Sequence, residues 1–212
     1  MKYLFLILFF LISCKNTVIA SSPEIICIDP GHGGMDGGAF VDGIKESKLT
    51  LEIAFKLKMT LEEAGHIVVM TRYEDTSLPK NSPFIKKDDL EERLRLINNS
   101  LLFISLHLNT YSEEKYSGSQ VFYANTNPNN KNMAKVMMAV LKEDLENTKR
   151  EAKELDTIYL LNKAKTTGII LEAGFMTNKS EFFLLQDDKY QLKLASTVTK
   201  GVNKYLNTLF EN

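Results

Sequence analysis

Strand-like and helix-like stretches alternate along this chain, and that alternation limits the fold more than any other feature. Short apolar runs at 24–29, 67–70, 101–107, 118–124, 157–161 and 168–171 read as strands. Between them, Leu49, Ile53, Ala54, Leu57, Leu61 and Ala64 follow helical spacing over 47–64, with Gly65 as the expected C-terminal cap. Asp88 or Asp89 caps a second helix that turns Leu90, Leu94 and Ile97 to one face. A third helix, 129–147, points Met133, Val136, Met137, Val140 and Leu141 inward, its methionines serving as core filler. A closing helix over 190–209 carries Leu192, Leu194, Ala195, Val198, Val202, Tyr205 and Leu206. This order predicts an α/β fold: one domain, a mostly parallel twisted sheet of about six strands, and helices on both faces. No internal repeat, linker or low-complexity stretch suggests a second domain, and 212 residues suit one domain after a short leader.

The leader occupies residues 1–20, leaving 21–212 as the folded domain. Lys2 supplies the positive start and residues 3–12 are unbroken apolar. At about 1.5 Å per residue that run is too short for a bilayer core of about 30 Å. It ends in Leu11-Ile12-Ser13-Cys14, which resembles a bacterial lipobox with Cys14 as the lipidated residue. Val18-Ile19-Ala20 offers an ordinary cleavage site instead, and an uncleaved anchor is a third reading, although Lys15 and Asn16 interrupt the apolar run. All three imply export. Cys27 is then the only cysteine of the mature chain, and its isoleucine neighbours make it a buried strand residue rather than part of a disulfide framework. The formal net charge of −1, with no basic stripe, argues against nucleic acid as a partner.

The chain has three histidines. His32 lies just past the first strand in Asp29-Pro30-Gly31-His32-Gly33-Gly34, and His107 ends the most apolar strand. Glu172 follows the apolar run Ile169-Ile170-Leu171, and Glu46 opens the first helix. In an open parallel sheet the residues beyond the strands' C-terminal ends gather along one edge, so these four are expected to converge. Two neutral imidazoles and a carboxylate form a common catalytic zinc set with a fourth position for water. Zinc lowers the pKa of that water to about 7, and Glu172 can serve as its general base. Each residue also has a plainer reading. A single histidine at a strand end is usually structural, and Glu46 at a helix start is favoured by the macrodipole alone. Glu172 is harder to dismiss, since a carboxylate after an apolar strand is costly without a partner. His66 follows a helix and precedes a strand, which places it at the opposite edge with no catalytic role.

These residues resemble the zinc-dependent N-acetylmuramoyl-L-alanine amidases, which cut peptide stems from peptidoglycan glycans. Four motifs match in order: Asp29-Pro30-Gly31-His32-Gly33-Gly34 with Asp36 and Gly38; Lys45-Glu46; Ile104-Ser105-Leu106-His107-Leu108-Asn109; and Glu172-Ala173-Gly174-Phe175-Met176-Thr177-Asn178. The resemblance spans about 24–210 and implies one Zn²⁺ held by His32, Glu46 and His107, Glu172 as catalytic base, and glycan strands with peptide stems as substrate. Residues 89–100, Tyr116-Ser117-Gly118-Ser119-Gln120 and Asn147-Thr148-Lys149-Arg150 are similar to the germination-specific sporulation amidases of endospore formers. That narrower likeness implies muramic δ-lactam formation in the spore cortex. It also implies an exported enzyme at the outer membrane face, cell wall or spore envelope, touching the membrane only through its N-terminal anchor.

Some relatives carry an inserted inhibitory helix. Here one ordinary helix fills 125–156, which favours control by expression or by a regulatory protein partner. Asn109 reads as a turn former, with orientation of the site as the functional alternative, while Arg72 and Arg93 read as solvated surface with stem-peptide carboxylates as theirs. Two other classes stay open: a different zinc amide hydrolase acting on wall material (a peptidase or deacetylase), and a catalytically silent wall-binding lipoprotein.

Overall fold

The computed structural model describes residues 25–79 and 83–210. The leader, with Cys14 and the alternative site after Ala20, lies outside the described residues. In chain order the elements are β1 (Ile25–Pro30), a hairpin of β2 (Phe40–Val41) and β3 (Ile44–Lys45), α1 (Glu46–Glu63) and β4 (Ile67–Met70). Next come α2 (Lys86–Ile97), β5 (Leu102–Asn109), β6 (Gln120–Tyr123), α3 (Pro128–Leu145) and β7 (Lys153–Glu154). The chain closes with α4 (Tyr159–Lys163), β8 (Thr167–Phe175), α5 (Lys179–Leu185) and α6 (Asp188–Phe210). Among the described residues, no helix is long and apolar enough to cross a membrane.

The main sheet has six strands in the order β4-β1-β5-β8-β6-β7. All neighbours run parallel except β6 and β8, so the expected mostly parallel sheet is present. Strand alternation sorts side chains between two faces. Ile26, Ile28, Ile104, Leu106, Ile169 and Leu171 build the larger core beneath α1, α3 and α6. Cys27, Phe103 and Ile170 point the other way into a smaller core closed by α2 and α4. Cys27 is fully buried, and burial pushes its thiol far above the ordinary range, as expected for an inert core residue.

Several expectations are corrected. Residues 157–161 are not a strand. They lead into α4, where Asn162 N–H donates to the Ile158 carbonyl at 3.1 Å and Ala164 N–H to that of Leu160 at 2.9 Å. Leu160 and Leu161 fill the smaller core from a helix as well as a strand would, so a short apolar run cannot separate the two. The edge strand is instead the exposed pair Lys153–Glu154. β8 also runs on to Phe175, so Glu172 lies within the strand rather than at its end.

Neither Asp88 nor Asp89 caps α2, whose N-cap is Ile85 with no side-chain bond. Asp89 is buried one turn in, accepting from Leu78 N–H at 2.8 Å and from Arg93 Nε at 2.6 Å. Arg93 and Arg72 are each only 2% exposed, which overturns the solvated reading of both. Arg93 pairs with buried Asp29 at 2.7 Å, and Asp29 also accepts from Thr71 Oγ1 and Ser105 Oγ, each at 2.6 Å. The strand ends carrying the motif residues are thus tied to β4, β5 and α2 by charge as well as by the sheet.

Gly168 lies opposite Phe103 across the β5–β8 pair, where an added Cβ would fall 1.9 Å from the phenyl ring. Gly168→Ala is expected to cost about 1–3 kcal/mol through overpacking. It should lower the urea midpoint at unchanged slope; an unmoved midpoint would contradict the packing.

Candidate metal centre

His32 stands two residues past β1 in a tight turn closed by Gly33 N–H to the Asp36 carbonyl at 2.7 Å. Its φ of 60° is in the left-handed region, which a side-chain-bearing residue adopts only where its surroundings impose it. His32 Nδ1 lies 2.9 Å from Asp36 Oδ1, and Nε2 lies 3.3 Å from Glu46 Oε2. Glu46, the first residue of α1, is 4% exposed. Its Oε1 meets His107 Nδ1 at 3.1 Å and accepts from Leu108 N–H at 3.0 Å; its Oε2 accepts from Ala39 N–H at 3.0 Å.

The two imidazole rings meet edge to face at 4.9 Å. Ligand atoms of His32, Glu46 and His107 all lie within 4.8 Å of one another. Glycine makes that convergence possible at two points. A Cβ on Gly31 would sit 2.4 Å from His107 Cε1, and one on Gly38 (φ +66°) would sit 2.6 Å from Glu46 Oε2.

The charges follow from this crowding. Burial works against the Glu46 carboxylate, but hydrogen bonds from His107 and His32 outweigh it and hold the carboxyl far below the ordinary range. Burial likewise disfavours His32 in its charged form, and the Glu46 and Asp36 carboxylates overcome it, leaving the His32 pKa raised. One carboxylate between two imidazoles, with a further carboxylate holding the outer ring nitrogen of one, is a donor set that fits a divalent cation such as zinc.

Glu172 is paired in register with His107 across β5 and β8 and stands beside this triad, outside the ligand cluster. It is half-buried, and its Oε2 is buried with no hydrogen-bond partner. Burial, opposed by His107 and His32 and reinforced by Glu46, pushes its pKa up to about 7. That is the state expected of a carboxyl poised for proton transfer.

The structure therefore brings His32, Glu46, His107 and Glu172 together. His66 stays apart, at the far edge of the sheet, with Nε2 at 2.6 Å from Asn203 Oδ1 on α6. Asn109 ends β5, where its carbonyl accepts from Met176 N–H at 2.8 Å. Sequence reasoning missed the opposing wall of the cleft. A cavity of about 310 Å³ extends from His32 and His107 to Lys86, Leu90, Ile158 and Tyr159. Lys86 also reaches Asp36 at 3.3 Å. The Asp36 carboxylate four residues from His32 was a readable signal for an outer partner, whereas nothing local marks the α4 wall.

Comparison with known proteins finds relatives along most of the chain. The family model described as N-acetylmuramoyl-L-alanine amidase matches residues 26–204. The chain is 42% identical over 199 residues to the germination-specific N-acetylmuramoyl-L-alanine amidase of Bacillus subtilis (strain 168), covering 91% of this chain and 84% of that one. It is 29% identical over 195 residues to the amidase LytC of the same strain, covering 90% of this chain but 36% of LytC. Among solved structures, the CwlD amidase of Clostridioides difficile, in complex with the GerS lipoprotein, superposes with a TM-score of 0.82 and 34% identity, covering 87% of this chain and 99% of that one. The catalytic domain of CwlV from Bacillus (Paenibacillus) polymyxa gives a TM-score of 0.75 at 25% identity, covering 87% and 98%.

The raised Glu172 pKa has a measurable consequence in metal-free protein. Between its ordinary value of 4.5 and about 7 the native state keeps a proton that the unfolded chain releases, so this group lowers stability as pH rises through that window. Glu172→Gln removes the titration. The Tm difference between the metal-free variant and wild type should widen in the variant's favour from pH 4.5 to 7, and a flat difference would refute the raised pKa.

Proposed function

We propose, from the premise that the chain belongs to the N-acetylmuramoyl-L-alanine amidase family, that it is a zinc-dependent amidase of peptidoglycan. Its reaction is hydrolysis of the amide between the lactyl group of N-acetylmuramic acid and L-alanine. The observation that carries this reading is the convergence of His32, Glu46 and His107 within 4.8 Å beside a half-buried carboxyl with an unpartnered oxygen.

His32, Glu46 and His107 hold the metal, and Asp36 fixes the His32 ring by taking its Nδ1 side. When bound, zinc supplies Lewis-acid polarisation of the amide carbonyl and acidifies water. Glu172 takes the proton of the attacking water and returns one to the departing L-alanine nitrogen, a transfer suited to a carboxyl with a pKa near 7. The cleft wall built by α2 and α4 shields one side of this chemistry from solvent.

Identity with the germination-specific relative supports a role in spore-cortex δ-lactam formation. Export follows from this substrate, and a lipid anchor at Cys14 is the proposed attachment. The described segment between β6 and β7 contains only α3, whose buried face packs on α6 and the sheet. Control by a separate protein is therefore the favoured mode, consistent with the CwlD amidase having been solved with a lipoprotein bound.

Digestion of defined peptidoglycan, followed by mass spectrometry, tests the activity. Wild type should release stems with a free N-terminal L-alanine, chelation should abolish the release, and added zinc should restore it. Glu172→Ala should retain zinc and lose about 10²–10⁴-fold in turnover. Release of acetate instead of stems would make the protein a deacetylase. The anchor is checked separately on the membrane fraction: a lipidated N-terminus at Cys14 supports it, and an unmodified N-terminus at Ser21 removes it.

A further inference from the structure

The loop that carries His32 is gripped by two arginines through its backbone. The Pro30 carbonyl accepts from Arg72 Nε at 2.9 Å and from Arg93 Nη1 at 2.8 Å. The Gly31 carbonyl accepts from Arg72 Nη2 at 2.9 Å. The His32 carbonyl accepts from Arg93 Nη2 at 2.5 Å. Arg93 is itself fixed from the other side, by Asp29 through Nη1 at 2.7 Å and by Asp89 through Nε at 2.6 Å. Its planar fork therefore spans two buried carboxylates and the carbonyl of the one histidine that stands in the left-handed region.

We infer that Arg93 is a positioning residue for the metal, holding His32 in the backbone conformation that turns its imidazole toward Glu46 and His107. The inference rests on the metal-site reading above. Among the described hydrogen bonds, the Arg93 guanidinium is the only group that joins the His32 carbonyl to the framework. Loosening that link lets the peptide at 32 relax toward an ordinary φ, swinging the ring out of the cluster. Lysine keeps the charge but is a point donor on a flexible stem, so it cannot address Asp89, Asp29 and His32 together. Asp89→Asn leaves the arginine in place and weakens its far anchor, while the Leu78 N–H bond falls on the other carboxylate oxygen of Asp89.

The test is zinc affinity, read by competition with a chromophoric chelator, together with the rise in Tm on adding zinc, for the purified full chain. Gly168→Ala serves as a control that strains the sheet without touching the loop. Arg93→Lys is expected to bind zinc about 10–100-fold more weakly than wild type, the range for groups that orient ligands from outside. Its zinc-induced rise in Tm should shrink in step. Asp89→Asn should shift the same way by less, while Gly168→Ala should melt lower yet bind zinc as wild type does. Arg93→Lys that melts lower but binds zinc with wild-type affinity overturns the inference and makes Arg93 a purely structural residue. If Arg93→Lys shows no cooperative unfolding, Asp89→Asn decides by the same measure. Wild type that takes up no zinc removes the metal reading itself, a result distinct from equal affinity in wild type and variant.

Discussion

The structure depends most on one buried carboxylate, Asp29. It is 1% exposed at the end of β1, where burial works to raise its pKa. Arg93, Ser105 and Thr71 reverse that, holding its pKa below the ordinary carboxylate range. A charge in such a place is tolerated only when every acceptor site is used, and removing one partner of a buried pair typically costs about 3–5 kcal/mol. The partners come from α2, β5 and the end of β4, so a single side chain ties four segments at the edge where the chemistry-bearing residues collect. Asp29 itself need not touch substrate. It fixes the frame from which His32 is presented.

That frame holds several features that are unfavourable taken singly. His32 has a left-handed backbone, Glu46 is a carboxylate in a buried position, and Glu172 has a buried oxygen without a partner. Local strain of this kind persists where surrounding structure over-determines it, and it concentrates at working sites. The sheet and the Asp29–Arg93–Asp89 chain provide that surplus. A divalent cation held by His32, Glu46 and His107 would offset the burial of the Glu46 charge, in place of the contacts that Glu46 makes with the two imidazoles.

Much of this was legible in the sequence, for a physical reason. The strand and helix periods of the large core survive in Ile26, Ile28, Ile104 and Leu106 and in the spacing of α1, α3 and α6, because those residues have one face to bury. The edge rule then gathers His32, Glu46, His107 and Glu172 and sends His66 to the far side. Arg72 and Arg93 were misread because exposure is the default for charged residues, and the partners that bury them are remote: Asp29 lies 64 positions from Arg93. Asp89 was misread as a cap because an aspartate at a helix start suits that role equally well. The α4 stretch was misread because Ile158, Leu160 and Leu161 satisfy either period over so short a span. Two smaller elements did carry signals. Asp42-Gly43, with φ of 47° and 82°, marks the tight turn between β2 and β3, and Asn178 caps α5 through Glu181 N–H at 3.0 Å.

Strand register links the core to the chemistry. Leu106 and Leu108 on β5, and Leu171 and Ala173 on β8, face the large core, so the residues between them, His107 and Glu172, face the α2 and α4 side and stand opposite each other. A slip of one residue in either strand would turn its polar group into the large core and a leucine into the cleft, a cost that fixes the register without any contribution from metal. The same alternation explains why the cleft runs over the smaller core, toward α2 and α4. Glu46 arrives from the opposite layer, at the head of α1, and meets His32 where Gly38 leaves no Cβ in the way, while Gly31 leaves the same room for the His107 ring. The triad is therefore assembled across both layers at the one edge where they meet, and the packing that sets the two leucine rows also sets the distance between the base and the ligands.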